Sequence, residues 1–138
     1  MRKTMLLAFA MLALPPAVQA AEPARAPMTP TSSPAPIVFF DIAGPDAAKL
    51  KDFYARNFGW SLDVNGPIKT GNLDGALRQD PAEKILYIGV PDIDAAMKNV
   101  AASGGTVVTP KIPIPSGVFV LFTDPAGNRM GLFQAKTP

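Results

Sequence analysis

Few residues in this chain offer chemistry, and the shortage is itself informative. The chain has no histidine and no cysteine, which excludes Ser-His-Asp and Cys-His nucleophiles and leaves no thiol for a disulfide or a lipid anchor. Asp41 is the sharpest remaining group. Flanked by Phe40 and Ile42, its carboxylate could be desolvated enough to act as a base, or it could be neutralised by Arg78, Arg129 or a lysine in a structural ion pair. Tyr87 is the second candidate for proton transfer. Gly104-Gly105 lacks the spacing and the following lysine of a phosphate-cradling loop.

These residues belong to a pattern that repeats at an offset of 48. Ile37-Val-Phe-Phe-Asp-Ile42 aligns with Ile85-Leu-Tyr-Ile-Gly-Val90, and Asp46-Ala47-Ala48 with Asp94-Ala95-Ala96. Two copies of one supersecondary unit constrain a fold more tightly than local propensity does. Apolar residues alternate in both strands. The set 38/40/42 with 86/88/90 is wholly apolar and is expected against helices. The opposite set is mixed, and alternation brings Phe39, Asp41, Tyr87, Gly89, Gly131 and Phe133 to one face, where the two glycines would leave room and the three aromatics supply walls. That is the composition of a mostly apolar small-molecule pocket, unless the aromatics fill the concavity as a second core.

Asp46 and Asp94 read as helix starts, with Gly59 and Gly104-Gly105 as stops. Strands are expected at 60–64, 68–73 and 76–79, and again at 106–109, 118–123 and 129–134. Pro113 and Pro115 demote 111–115 to an edge or a connection. Asp124-Pro125-Ala126-Gly127-Asn128 reads as a hairpin turn. The plan is strand, helix, three strands, twice over.

Outside this domain, Arg2 and Lys3 precede an apolar run from Met5 to Leu14 that is too short to span a bilayer, and Val18-Gln19-Ala20 has the small residues of a cleavage site. Residues 1–20 are thus expected to be a signal peptide, giving a periplasmic or secreted bacterial protein without a stable membrane anchor. Residues 21–36, with prolines at 23, 27, 30, 34 and 36, read as a disordered linker. The domain is 37–138, with modules at about 37–80 and 85–134. Of the 13 basic residues three (Arg2, Lys3, Arg25) lie outside it, and of the 11 acidic residues one (Glu22) does, leaving 10 of each inside. A formally neutral domain without a basic cluster argues against nucleic acid as a partner.

Phe53-Tyr54 with Phe58-Gly59-Trp60, the segment Val90-Pro91-Asp92-Ile93-Asp94-Ala95-Ala96, Gly104-Gly105, and Phe122-Thr-Asp-Pro-Ala-Gly-Asn128 before Gly131-Leu132 resemble the vicinal oxygen chelate superfamily, the glyoxalase, bleomycin-resistance and dioxygenase group. The likeness spans Ile37 to about Gln134. It implies an α+β fold of two tandem βαβββ modules whose curled mixed sheet encloses a concave pocket. In metal-using relatives His or Glu ligands sit on the first and last strands of each module; the alignment carries these positions to Ile37, Ile85, Gly131 and a residue between Leu73 and Arg78, with Asp74 the only carboxylate nearby. No metal or other cofactor is therefore expected. The resemblance implies an exported, metal-free binder of a small organic ligand, acting as a homodimer. The alternatives are a metal-independent lyase or isomerase using Asp41 or Tyr87, and an interaction module with a filled pocket.

Overall fold

A computed structural model describes residues 33–138. The signal peptide and most of the linker read from the sequence lie outside the described residues. Eleven elements follow: β1 (Ile37–Gly44), α1 (Ala47–Phe58), β2 (Ser61–Leu62), β3 (Pro67–Lys69), β4 (Gly75–Gln79), β5 (Glu83–Gly89), α2 (Ile93–Ala102), β6 (Thr106–Val107), β7 (Ile112–Ile114), β8 (Gly117–Thr123) and β9 (Arg129–Ala135). They form one mixed sheet in the order β2-β3-β4-β1-β5-β9-β8-β6, with β7 paired to β8. Each half is the other's mirror in sequence order. β1 runs parallel to β4 and β5 parallel to β9, while the halves meet through the antiparallel β1–β5 pair. This is the α+β plan of two βαβββ modules curled into a half-barrel. The second module carries one extra strand, the proline-bearing β7, at an edge where a missing N–H breaks no ladder.

Both helices lie on the same side of the sheet. Phe40, Ile42, Leu50, Tyr54 and Trp60 pack around buried Ala47, Leu62, Ile68 and Leu77 under α1, and Ile88, Val90, Met97 and Val100 around Ile93, Val120, Phe122 and Leu132 under α2. The other face carries a third cluster, Ile85, Tyr87 and Leu121 with Phe39, Phe119 and Phe133. Leu121 lies between Val120 and Phe122 and faces away from both, which is the period of two that a sheet with two apolar faces requires.

Two expected members of the helix-facing set are elsewhere. β1 pairs with β5 as Ile37↔Ile88 and then Phe39↔Tyr87, so Val38 is the unpaired residue of a bulge. A bulge re-aims side chains: Val38 lines a cavity on the concave side, and Ile37 is left exposed. Leu86, at the join between modules, is also exposed. β3 stops at Lys69, short of the expected 73, because Thr70 turns the chain: its hydroxyl accepts from the Leu73 amide, and Gly71 adopts φ 104°.

α1 starts as expected. The Asp46 carboxylate accepts from the Lys49 amide at 3.1 Å and Gly59 closes the helix at φ 65°. α2 starts two residues earlier than the repeat implies, because Asp92, not Asp94, caps it, accepting from the Ala95 amide at 3.0 Å. Asp94 instead pairs with Lys111. The caps are therefore 46 residues apart (92 against 46), not 48. Asp92→Ala should cost about 1 kcal/mol through the lost cap, and Asp94→Ala no more than about 0.5 kcal/mol, as exposed ion pairs do. Urea denaturation of the two variants measures the contrast.

The Asp124 turn joins β8 to β9 as expected. Its carboxylate accepts from the amides of Ala126 and Asn128 and from the Asn128 side chain, and Gly127 sits at φ 89°. Among the described residues no helix is long and apolar enough to cross a membrane.

Candidate functional site

Tyr87 is the centre of the concave face. It lies on β5, 8% exposed, with its ring edge-on to Phe39 at 5.6 Å and to Phe119 at 5.7 Å between centroids. Phe119 is in turn the register partner of Phe133 across the β8–β9 hairpin. Three of the six residues expected on this face, Phe39, Tyr87 and Phe133, thus share one aromatic wall, and Phe119 completes it. Phe119 was legible in principle, since alternation through 118–123 puts 119 and 121 on one side.

The two glycines do not leave room for a ligand. Gly131 stands beside Tyr87 in the parallel β5–β9 pair, and a Cβ there would lie 2.2 Å from the tyrosine Cδ1. At Gly89 a Cβ would lie 2.6 Å from the Val38 Cγ1. The space each vacates is taken by the protein's own side chains.

Asp41, from β1, is 5% exposed. Both its oxygens accept from Arg78 Nε at 2.8 Å. Arg78, on β4, also reaches Asp80 through Nη1 at 2.5 Å and faces Glu83 through Nη2 at 3.6 Å; Arg129 of β9 meets Glu83 at 3.4 Å. Burial pushes the Asp41 carboxyl above its ordinary value, and the Arg78 bond and charge oppose the rise. The Tyr87 phenol is pushed up to about 12, first by burial and then by the Asp41 charge. It stays protonated at neutral pH.

Two cavities open on this face. The first, about 700 Å³, is lined by Asp41, Arg78, Asp80, Glu83, Arg129, Thr109 and the apolar Ile85, Ile112 and Leu121. The second, about 520 Å³, is lined by Val38, Phe39, Phe133, Ile114, Ser116 and Asp74. Asp41, Arg78, Tyr87 and Phe119 line both. Asp74 is paired with Lys69.

The structural register corrects one metal-ligand position inferred from the repeat. A cap offset of 46 equates Ile85 with Phe39, not with Ile37. The parallel pairs Asp41↔Ala76 and Tyr87↔Gly131 then equate Gly131 with Ala76. None of Phe39, Ala76, Ile85 and Gly131 has a donor atom in its side chain. Among the described residues no group of three or more His, Cys, Asp or Glu could hold a metal ion, so the donor set does not fit the metal of the family's usual site.

No family model matches the chain. Among curated proteins, it is 32% identical over 114 residues to CFP32 of Mycobacterium tuberculosis, whose name assigns it provisionally to the glyoxylases; the match covers 69% of this chain and 44% of that protein. It is 30% identical over 131 residues to the anthracycline biosynthesis protein DnrV of Streptomyces peucetius, covering 74% and 48%. The chain spans about half the length of these relatives. Solved structures share the fold at low identity. A methylmalonyl-CoA epimerase from Mycobacterium tuberculosis superposes with a TM-score of 0.55 at 13% identity, covering 72% of this chain and 87% of that one. A glyoxalase/bleomycin resistance protein/dioxygenase superfamily member from Vibrio splendidus also gives 0.55 at 13%, covering 71% and 97%. Together with the paired modules and the concave face they enclose, these likenesses identify the fold of this chain as that of the vicinal oxygen chelate superfamily, the glyoxalase, bleomycin resistance and dioxygenase group.

Proposed function

We propose that this protein is an exported, metal-free binder of a small organic molecule held on the concave face. One observation carries the reading: two adjoining cavities, about 700 and about 520 Å³, share the wall of Tyr87, Phe119, Asp41 and Arg78. Volumes of this order suit a small ligand, and a concavity filled as a second core would not leave them. The aromatic lining suits a planar ring system, and two of the relatives are named for anthracycline biosynthesis. Proton transfer is less well supported, because Asp41 is held by Arg78 and the Tyr87 phenol stays protonated. Export rests on the sequence of residues 1–20. Homodimerisation is part of the same proposal, with exposed Phe53 and Phe58 on α1 as apolar surface that a second copy would cover.

Native mass spectrometry of protein from its own host tests this directly. The expected result is a chain beginning at Ala21 that carries a small organic molecule and no stoichiometric Zn, Ni, Fe or Mn; one tightly bound transition metal per chain would contradict it. A variant separates the polar from the apolar share of binding. Tyr87→Phe keeps the ring and should weaken binding by about 0.5–1.5 kcal/mol through the lost hydrogen bond, read by calorimetric titration. Tyr87→Ala is the less informative change, because it also removes ring contacts to Phe39 and Phe119 and costs folding stability.

A further inference from the structure

The two cavities differ in kind. Asp41, Arg78, Tyr87 and Phe119 line both; the smaller adds Phe39 and Phe133 with Asp74, and the larger adds Asp80, Glu83 and Arg129. In the larger, three carboxylates, Asp41, Asp80 and Glu83, face two guanidinium groups, Arg78 and Arg129. Each of the three Arg78 nitrogens already faces a carboxylate, and Arg129 is engaged with Glu83. A ligand anion would therefore have to displace a partner of Arg78 or share Arg129 with Glu83, whereas a cation meets a net surplus of one negative charge. An independent feature points to a ligand at the same place. Tyr87 is 8% exposed, its ring is fixed by two aromatic neighbours, and it lines both cavities, while its hydroxyl, which is not among the buried polar atoms without a partner, makes no hydrogen bond to any described residue.

We infer that the two cavities form one site for a planar aromatic cation, its rings in the aromatic chamber, its positive group in the chamber of Asp80 and Glu83, and a polar atom between them meeting the Tyr87 hydroxyl. This rests on the ligand-binding reading above and specifies the ligand's class. Offset or edge contacts to the three phenylalanines hold the rings, a tyrosine face adds attraction for a cation, and the surplus carboxylate sets the preference for charge.

The test uses three probes of one shape: N-methylacridinium, acridine and acridine-9-carboxylate, titrated at pH 8 by fluorescence or calorimetry against the full domain. The cation is expected to bind about tenfold more tightly than neutral acridine, the effect of one net charge at a partly screened site, and the anion more weakly than either. Raising the ionic strength should narrow the gap between cation and neutral probe. Asp80→Asn, confirmed folded by thermal melting, removes the one surplus charge and should abolish that gap. Acridine binding as tightly as the cation, or the anion binding more tightly, would overturn the inference and leave ligand binding intact. Failure of all three probes to bind would overturn the inference together with the reading on which it rests.

Discussion

Replacing Gly131 with valine is expected to destabilise the domain by about 3 kcal/mol or more. The reason is local. The position's missing Cβ is where the Tyr87 ring lies, with three ring carbons within 2.8 Å of the place a Cβ would occupy. That ring is buried and braced by Phe39 and Phe119, so it cannot swing away without opening the aromatic wall. The damage is largely relieved by a second change: Gly131→Val with Tyr87→Ala should lose markedly less stability than the sum of the single variants, a coupling expected only for groups in direct contact. Urea unfolding of the four proteins in the cycle gives the answer, and strict additivity would mean that the glycine serves the backbone and not the ring.

The second large effect concerns Arg78. Arg78→Met should cost about 2–4 kcal/mol at neutral pH, because it strands the buried Asp41 carboxylate, and removing one partner of a buried pair is worse than never having built it; the figure allows for the partial exposure of the arginine. Asp41→Asn should cost less, since Arg78 keeps Asp80 and Glu83. The dependence on pH has a definite sign. Asp41 is raised above its ordinary value of 3.8, so the folded protein takes up this proton more readily than the unfolded chain. That contribution favours the fold below about pH 3.8 and is lost as the pH rises through the folded value. Without Arg78 the folded value climbs further, so stability should fall more steeply from acid to neutral pH in Arg78→Met than in the wild type. Adding Asp41→Asn should remove the excess slope.

Much of this architecture is written in local signals. Strict alternation at 37–42 and 85–90, an Asp before and a Gly after α1, and a proline-bearing edge segment all act through near-neighbour physics, and the elements follow them. What the sequence hides depends on distant partners. The bulge at Val38 exists only because Ile37 pairs with Ile88 and Phe39 with Tyr87, residues far apart in the chain, and it moves Val38 to the concave face and Ile37 into solvent. Asp92 and Asp94 are equally good caps by type; the fold uses Asp92 as the cap and leaves Asp94 to pair with Lys111. Gly131 and Gly89 read as open space, yet nothing local announces that Tyr87 and Val38 occupy it. The aromatic wall was legible for Phe39, Tyr87 and Phe133 through parity alone, and Arg78 was one of the partners open to Asp41, whereas choosing it and joining it to Asp80 and Glu83 needed the fold.

Binding of small organic molecules on the concave face at Tyr87 can be read directly by protein-observed NMR with a library of small aromatic fragments. Saturable binders are expected whose shift changes in 13C-labelled aromatic side chains concentrate on Phe39, Tyr87, Phe119 and Phe133 and leave Phe53 and Phe58 unmoved. Saturable binding that maps to Phe53 and Phe58, or a library without a single binder at the concave face, would contradict it.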